Sequence, residues 1–223
     1  MTSTRGRALL VTVPVLFALM GSPAAERSER HDPTAFACDS KIFSLQDFES
    51  SPSVMSPDGK NRVRLNKDHS FRVLADEAEI ARLGNDFDMS CCIEVGWAPD
   101  SKQFFISYSN GGATGGYSVR LYTTSGNHVK ENSAPEVALN DFKVKHDCPS
   151  RGANVFFLSW TSDSRKVFLV TEVYPTGDCG PAMGRYRGYL MDVAGGTIVR
   201  RYGEKQTSAI EKQCRASGKL PIP

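Results

Sequence analysis

Six cysteines and four histidines are the side chains of this 223-residue chain best suited to covalent, metal or proton-transfer chemistry. His146 stands beside Asp147 and Cys148, and is the only histidine placed as a general base next to a nucleophile. His31 falls in a polar N-terminal stretch, His69 in a turn and His128 on an outer strand. Neither a Gly-x-Ser-x-Gly elbow nor a His-Glu-x-x-His helix occurs. Asp86 and Asp88 form a carboxylate pair that lacks the other ligands of a calcium loop. Residues 110–116, Asn-Gly-Gly-Ala-Thr-Gly-Gly, have the glycines of a phosphate cradle but neither the Gly-Lys-Ser/Thr nor the helix that should follow, so they read as a hairpin loop. No cofactor and no metal site is expected. A small exported hydrolase with a site near Asp86, Asp88 and His146 is the second reading of function.

An even number of cysteines in an exported chain points to disulfides. If the strands around 155–160 and 166–174 form a hairpin turning at Asp163, Cys148 and Cys179 lie almost symmetrically about that turn. A bridge would then join its open ends and contribute on the order of 3 to 4 kcal/mol by loop entropy. Cys38 and Cys214 would tie the two ends of the domain together. The adjacent Cys91 and Cys92 read as structural thiols in preference to a metal or redox pair.

The compartment follows from residues 1–25. Arg5 and Arg7 precede the apolar run 8–20 and then Gly-Ser-Pro-Ala-Ala, the pattern of a secretory signal peptide, so the protein is expected to be periplasmic or secreted. Cleavage removes two of the 27 basic residues and none of the 25 acidic ones, leaving a neutral chain. A neutral chain without a basic run has no electrostatic footprint for nucleic acid, and no segment after the signal is apolar enough to span a bilayer. Residues 26–37 read as a flexible segment and 38–223 as a single domain.

The elements that must position any site are repeats. Val95-Gly-Trp-Ala-Pro-Asp-Ser-Lys-Gln-Phe-Phe-Ile-Ser-Tyr108 reads as strand, tight turn, strand, and the pattern returns around Asp58 and Asp163. Each unit continues into third and fourth strands with Gly, Asp or Asn at the turns, giving four-stranded antiparallel meanders with a period of roughly 40 residues. The three turn Asp residues are expected to hold their own turns, and Trp97 and Trp160 to sit in the core. Residues 76–83 admit a helix as well as a strand. Ser133-Ala-Pro-Glu136 and Ser208-Ala-Ile-Glu211 are capping-box patterns that start short helices, the first running through Phe142 and the second, near the C-terminus, to Arg215.

Trp97-Ala-Pro-Asp-Ser-Lys102, Met55-Ser-Pro-Asp-Gly-Lys60, Trp160-Thr-Ser-Asp-Ser-Arg165 and Leu121-Tyr-Thr-Thr-Ser-Gly126 resemble the propeller repeat of TolB-type periplasmic proteins, of other WD40-like propellers, and of the propeller that precedes prolyl-oligopeptidase-type catalytic domains. The resemblance covers residues 53–203 and implies an all-β, β-propeller-like fold of three recognisable blades. It carries over no catalytic residue. Closed propellers have roughly four to eight blades. Three units therefore need a distorted fourth blade from the N-terminal segment, a homodimer that completes a six-bladed ring, or an open stack with covered edges.

In such meanders tight turns fall on one rim and long connections on the other. Long connections on a rigid scaffold are where binding resides. The candidate binding residues on that rim are Asp86, Asp88, Tyr108, Asn110, His146, Asp147, Tyr174, Arg185 and Tyr186. The leading expectation is an exported binding module for a protein, peptide or glycan on the long-loop rim. A structural envelope component is the third reading.

Overall fold

Alternation of apolar and polar residues on either side of each turn folds the chain into antiparallel hairpins. The computed structural model describes residues 37–38, 41–44, 50–84, 87, 92–111, 116–146, 152–175 and 179–222, with 41–44 and 92 as backbone alone. The expected signal peptide and nearly all of the 26–37 segment lie outside the described residues.

β1 (Lys41–Ser44) precedes three meanders. The first blade is β2 (Ser53–Met55), β3 (Asn61–Leu65), β4 (Phe71–Ala75) and β5 (Ala78–Leu83). The second is β6 (Cys92–Trp97), β7 (Gln103–Ser109), β8 (Tyr117–Ser125) and β9 (His128–Asn132), with β1 added antiparallel beside β6. After helix α1 (Ala134–Lys145) comes the third, β10 (Ala153–Trp160), β11 (Lys166–Val173), β12 (Tyr186–Asp192) and β13 (Thr197–Tyr202), and then helix α2 (Glu204–Ser217). The fold is mostly β, as the repeats imply. The helical alternative for 76–83 is replaced by a hairpin: Asp76 and Glu77 turn with φ of 46° and 67°, and β5 follows at once.

Two apolar layers hold the blades together. Val63, Leu65, Phe71 and Val73 of the first blade meet Trp97, Phe104, Ile106 and Tyr122 of the second. The opposite face of the second blade sets Phe105, Val119 and Leu121 against Phe157, Trp160, Val167 and Leu169 of the third, with Phe105 and Phe157 stacked at a ring separation of 3.6 Å. Both tryptophans are core residues, and the Trp97 indole N–H also donates to the Val54 carbonyl of the first blade at 3.1 Å.

The turn aspartates hold their turns as expected. Asp58, Asp100 and Asp163 each accept the backbone N–H two residues ahead through Oδ1, at 3.0 to 3.1 Å. Beyond that expectation, the turns are linked from blade to blade. Ser101 Oγ accepts the Asp58 N–H and Ser164 Oγ accepts the Asp100 N–H, both at 3.0 Å. Ser101 and Ser164 pay for this with left-handed φ values of 62° and 59°, whereas the equivalent residue in the first blade is Gly59, φ 75°, with open space where a Cβ would stand.

The two ends of the stack are finished differently. α2 lays Thr207, Ile210 and Cys214 on the far face of the third blade, over Phe156, Phe168, Tyr186 and Leu190. It begins at Glu204, ahead of the expected Ser208 box: Gly203 is the N-cap, its N–H is met by the Gln206 side chain, and Ser208 falls inside the helix. The expected Cys38–Cys214 disulfide is present and fastens this helix to the N-terminal segment. Cys179 is disulfide-bonded too, to a cysteine whose side chain lies outside the described residues, as does Cys148. The far face of the first blade instead carries Arg62, Arg64, Arg72, Glu79 and Arg82. Among the described residues the stack is therefore open, with a helix over one end and a charged face at the other.

Candidate binding cleft on the long-loop rim

β9 is short. Its last residue, Asn132, pairs with Leu121 in the middle of β8, so among the described residues no strand lies outside β8 over residues 117–120. The chain leaves as α1, which crosses all four strands of the third blade. Asn132 starts the helix by accepting the Ala134 N–H at 2.8 Å while its own amide donates to the Val193 carbonyl of the third blade. Ser133 makes no side-chain cap, so the expected box gives way to Asn132, although the helix itself is present and runs past Phe142.

Ala134, Ala138 and Phe142 bury one side of α1 in the core between the second and third blades. Its far end is fixed by Asp141, whose carboxylate accepts Arg201 Nε and Nη2 at 3.0 and 2.7 Å and the Tyr189 hydroxyl at 3.1 Å. The Arg201 guanidinium holds the Asp141 carboxyl below its usual range, and burial, reinforced by that carboxylate, pushes Tyr189 up to about 12.

Between α1 and the second blade this arrangement leaves a cleft of about 420 Å³. Val119, Val155, Ala153, Pro135 and Leu139 supply its apolar surface, Tyr108 its one aromatic ring, and Glu131 and Glu136 its carboxylates. Arg120 is the cleft's cation. It lies over the Phe87 ring at 4.6 Å and the Tyr108 ring at 6.0 Å, and pairs with Glu131 at 3.9 Å. A cation held over aromatic faces is fixed in place and partly neutralised.

The residues nominated from the sequence divide into groups. Tyr108 lines the cleft. Asn110 and Tyr174 meet around Gly116: the Asn110 side chain accepts the Gly116 N–H at 2.8 Å, and a Cβ on Gly116 would stand 3.1 Å from the Tyr174 hydroxyl. Asn110 thus closes its own loop. His146 and Arg185 belong to a third group with Arg187 and Glu204. Burial first, then Arg187 and Arg185, push the His146 imidazole down from its ordinary value against the pull of Glu204, so it is neutral at neutral pH. Its ring packs on Phe142 at 4.6 Å, and Arg185 Nε pairs with Glu204. Tyr186 is corrected: it is 5% exposed, in the core beneath α2, because strand parity turns it away from the rim's free surface. Asp86, Asp88 and Asp147 lie outside the described residues. Among the described residues no three His, Cys, Asp or Glu side chains gather as a metal site.

Sequence reasoning missed Arg120, Glu131, Glu136 and Leu139. The premature end of β9 was their signal, because a four-stranded blade whose last strand stops short leaves an uncovered edge. A scan against protein-family models finds no match, and neither does a search of curated proteins. Among solved structures, the β-propeller domain of Cps50 (Swd1) from Myceliophteria thermophila is similar at 10% identity with a TM-score of 0.32. The match covers 74% of this chain and 60% of that one, so the chain spans about three fifths of the length of this neighbour.

Proposed function

We propose that the protein is an exported interaction module that takes an extended, cationic segment of a protein or peptide partner into the cleft between the second blade and α1. The observation that carries this reading is the edge of β8 over residues 118–120, which no strand covers among the described residues, flanked by aliphatic walls and two carboxylates; the Tyr117 N–H just before it is taken by Asn154 Oδ1 at 2.9 Å. An extended segment lies along a strand edge using backbone groups that the sheet leaves outward. Its apolar side chain covers Val119, Leu139 and Val155, and a neighbouring Lys or Arg meets Glu131 and Glu136. A peptide or protein is favoured over a glycan because the cleft offers aliphatic surface with a single ring. The arrangement of the boxes, similar to TolB-type repeats, and the signal-like residues 1–25 support an envelope or secreted setting. The module works as a monomer, since one outer face is under α2 and the other is charged.

The test is selection from a random peptide library on the immobilised, oxidised protein. Enriched sequences are expected to carry an apolar residue flanked by Lys or Arg, to lose binding to Leu139→Arg, and to weaken on Glu131→Gln with Glu136→Gln. No enrichment, or enrichment indifferent to Leu139→Arg, refutes the reading.

A further inference from the structure

The far face of the first blade carries a second candidate site. Strand register places Arg64 opposite Arg72 and Arg72 opposite Arg82, so three guanidinium side chains form one row across β3, β4 and β5. Directly opposed residues share a face with Cβ atoms about 5 Å apart, and like charges so placed repel. The row is not neutralised from within. Glu79 is shared by two of its members, lying 3.2 Å from Arg72 Nε and 3.5 Å from Arg82 Nε. Arg72 Nε is buried and makes no hydrogen bond despite that proximity. Arg64, half-buried, has neither an ion pair nor a hydrogen bond among the described residues.

These side chains line a concavity of about 420 Å³ with Lys67, Asn66, Ser51 and Asp68. The Asp68 carboxylate is already engaged, accepting the Ser70 N–H at 3.1 Å and the Ser70 hydroxyl at 2.6 Å. Among the described residues three guanidinium groups thus face Asp68 and Glu79, an excess of one charge, with Lys67, which has an interaction of its own, at the rim. A sheet face meant only for solvent is better served by alternating signs, as in the adjacent Arg62–Glu77 pair at 2.9 Å on the same blade.

We propose that this concavity binds a phosphate group, presented by a small organic phosphate or by an anionic lipid headgroup. Guanidinium forks match phosphate oxygens bidentately, and the row sets three of them side by side on one face, one of them, Arg64, unpaired among the described residues. The site is separate from the cleft between the second blade and α1 and does not depend on it.

The test is calorimetric titration of the full, oxidised protein with inorganic phosphate, alongside sedimentation with phosphatidylglycerol and phosphatidylcholine vesicles. Phosphate binding that withstands excess chloride and weakens about tenfold or more in Arg64→Gln and in Arg82→Gln is expected, as loss of a charged hydrogen-bonded contact would give. Arg64→Lys, which keeps the charge and loses the fork, should fall between. Lys102→Gln, on the tight-turn rim, should change nothing. Sedimentation with phosphatidylglycerol but not phosphatidylcholine, abolished by the same variants, assigns the phosphate to a lipid; inorganic phosphate alone assigns it to a soluble ligand. Binding to neither probe, or binding equal in Arg64→Gln and the unsubstituted protein, overturns the proposal. Circular dichroism of Arg64→Lys and Arg64→Gln guards against loss through misfolding.

Discussion

Replacing Ser164 tests whether the blades are joined turn to turn. Its hydroxyl accepts the Asp100 N–H at 3.0 Å, its own N–H donates to the Thr161 carbonyl at 2.9 Å, and the residue is 1% exposed. Ser164→Ala keeps the left-handed backbone, φ 59°, and leaves the Asp100 N–H without its partner. A net hydrogen bond is worth about 1 kcal/mol, and a partly buried orphaned donor about 1 to 2 kcal/mol. Ser164→Gly loses the same bond but relieves a left-handed penalty of about 1 kcal/mol, offset in part by the freedom glycine gains in the unfolded chain. Alanine should therefore cost about 1 to 2 kcal/mol and glycine less. Ser101, φ 62° and bonded to Asp58, should repeat the pattern. Gly59→Ser is the mirror experiment: with no blade before it among the described residues and open space around a Cβ there, the hydroxyl has nothing to accept and the substitution costs about 1 kcal/mol of strain. Equilibrium urea unfolding of the oxidised protein, with an unchanged slope, measures each value. Ser164→Ala equal to the unsubstituted protein, or Gly59→Ser more stable than it, would refute the turn-to-turn linkage.

Two further predictions concern the helices that finish and wedge the stack. A Cβ on Gly188 would stand 2.5 Å from Phe168 Cζ and 2.7 Å from Thr207 Oγ1, so Gly188→Ala should cost about 2 kcal/mol or more and loosen α2, seen as earlier proteolysis of residues 204–217. Asp141 has its folded pKa lowered, chiefly by the Arg201 hydrogen bonds, so its stabilisation is full above the ordinary carboxylate range near 4 and is lost as pH falls through the lowered folded value. Asp141→Asn should accordingly destabilise at pH 7 by about 1 kcal/mol, a modest figure because Arg201 is 46% exposed, and the difference from the unsubstituted protein should shrink as pH falls below the ordinary carboxylate range in denaturant titrations. A difference that grows as the pH falls contradicts the assignment.

What the sequence made legible was whatever is written locally. The boxes around Asp58, Asp100 and Asp163 encode hairpins because Asp at the turn satisfies its own backbone, and each does so here. The rim asymmetry was legible from loop lengths, and the cleft does reach that rim at Tyr108. Harder to read were features decided by the neighbour across space. Ser208 and Glu211 satisfy a capping pattern, yet the helix starts earlier because Gly203 follows directly on β13 and Thr207, Ile210 and Cys214 must face the third blade together. Tyr186 looked like a rim residue since nothing in its own segment announces a helix laid over it. The sequence of β11, apolar on both faces, did contain that information: Phe168 and Val170 point one way, Val167 and Leu169 the other, and both sets are fully buried. A strand buried on both sides demands a second cover, and α2 is the element left to provide it.

The need to cover both faces of a buried strand also organises the surface. A propeller removes exposed sheet faces by closing on itself, and a stack of three blades cannot. One terminal face here is sealed by an amphipathic helix that Cys38–Cys214 holds in place, and the other carries a row of charged side chains. With both ends settled, the interface between the second and third blades is where the sheets are wedged apart, because α1 enters between them. α1 then has two duties on two sides. Ala138 and Phe142, fully buried, complete the core, while Glu136 and Leu139 face the cleft. Substitutions on the first side must lower stability, and so must loss of Leu139, which is partly buried against the same core, whereas Glu136→Gln should leave stability unchanged. Glu136→Gln therefore reports on binding alone, and Leu139→Arg reports on binding once a urea unfolding curve measured beside it shows that the variant is folded.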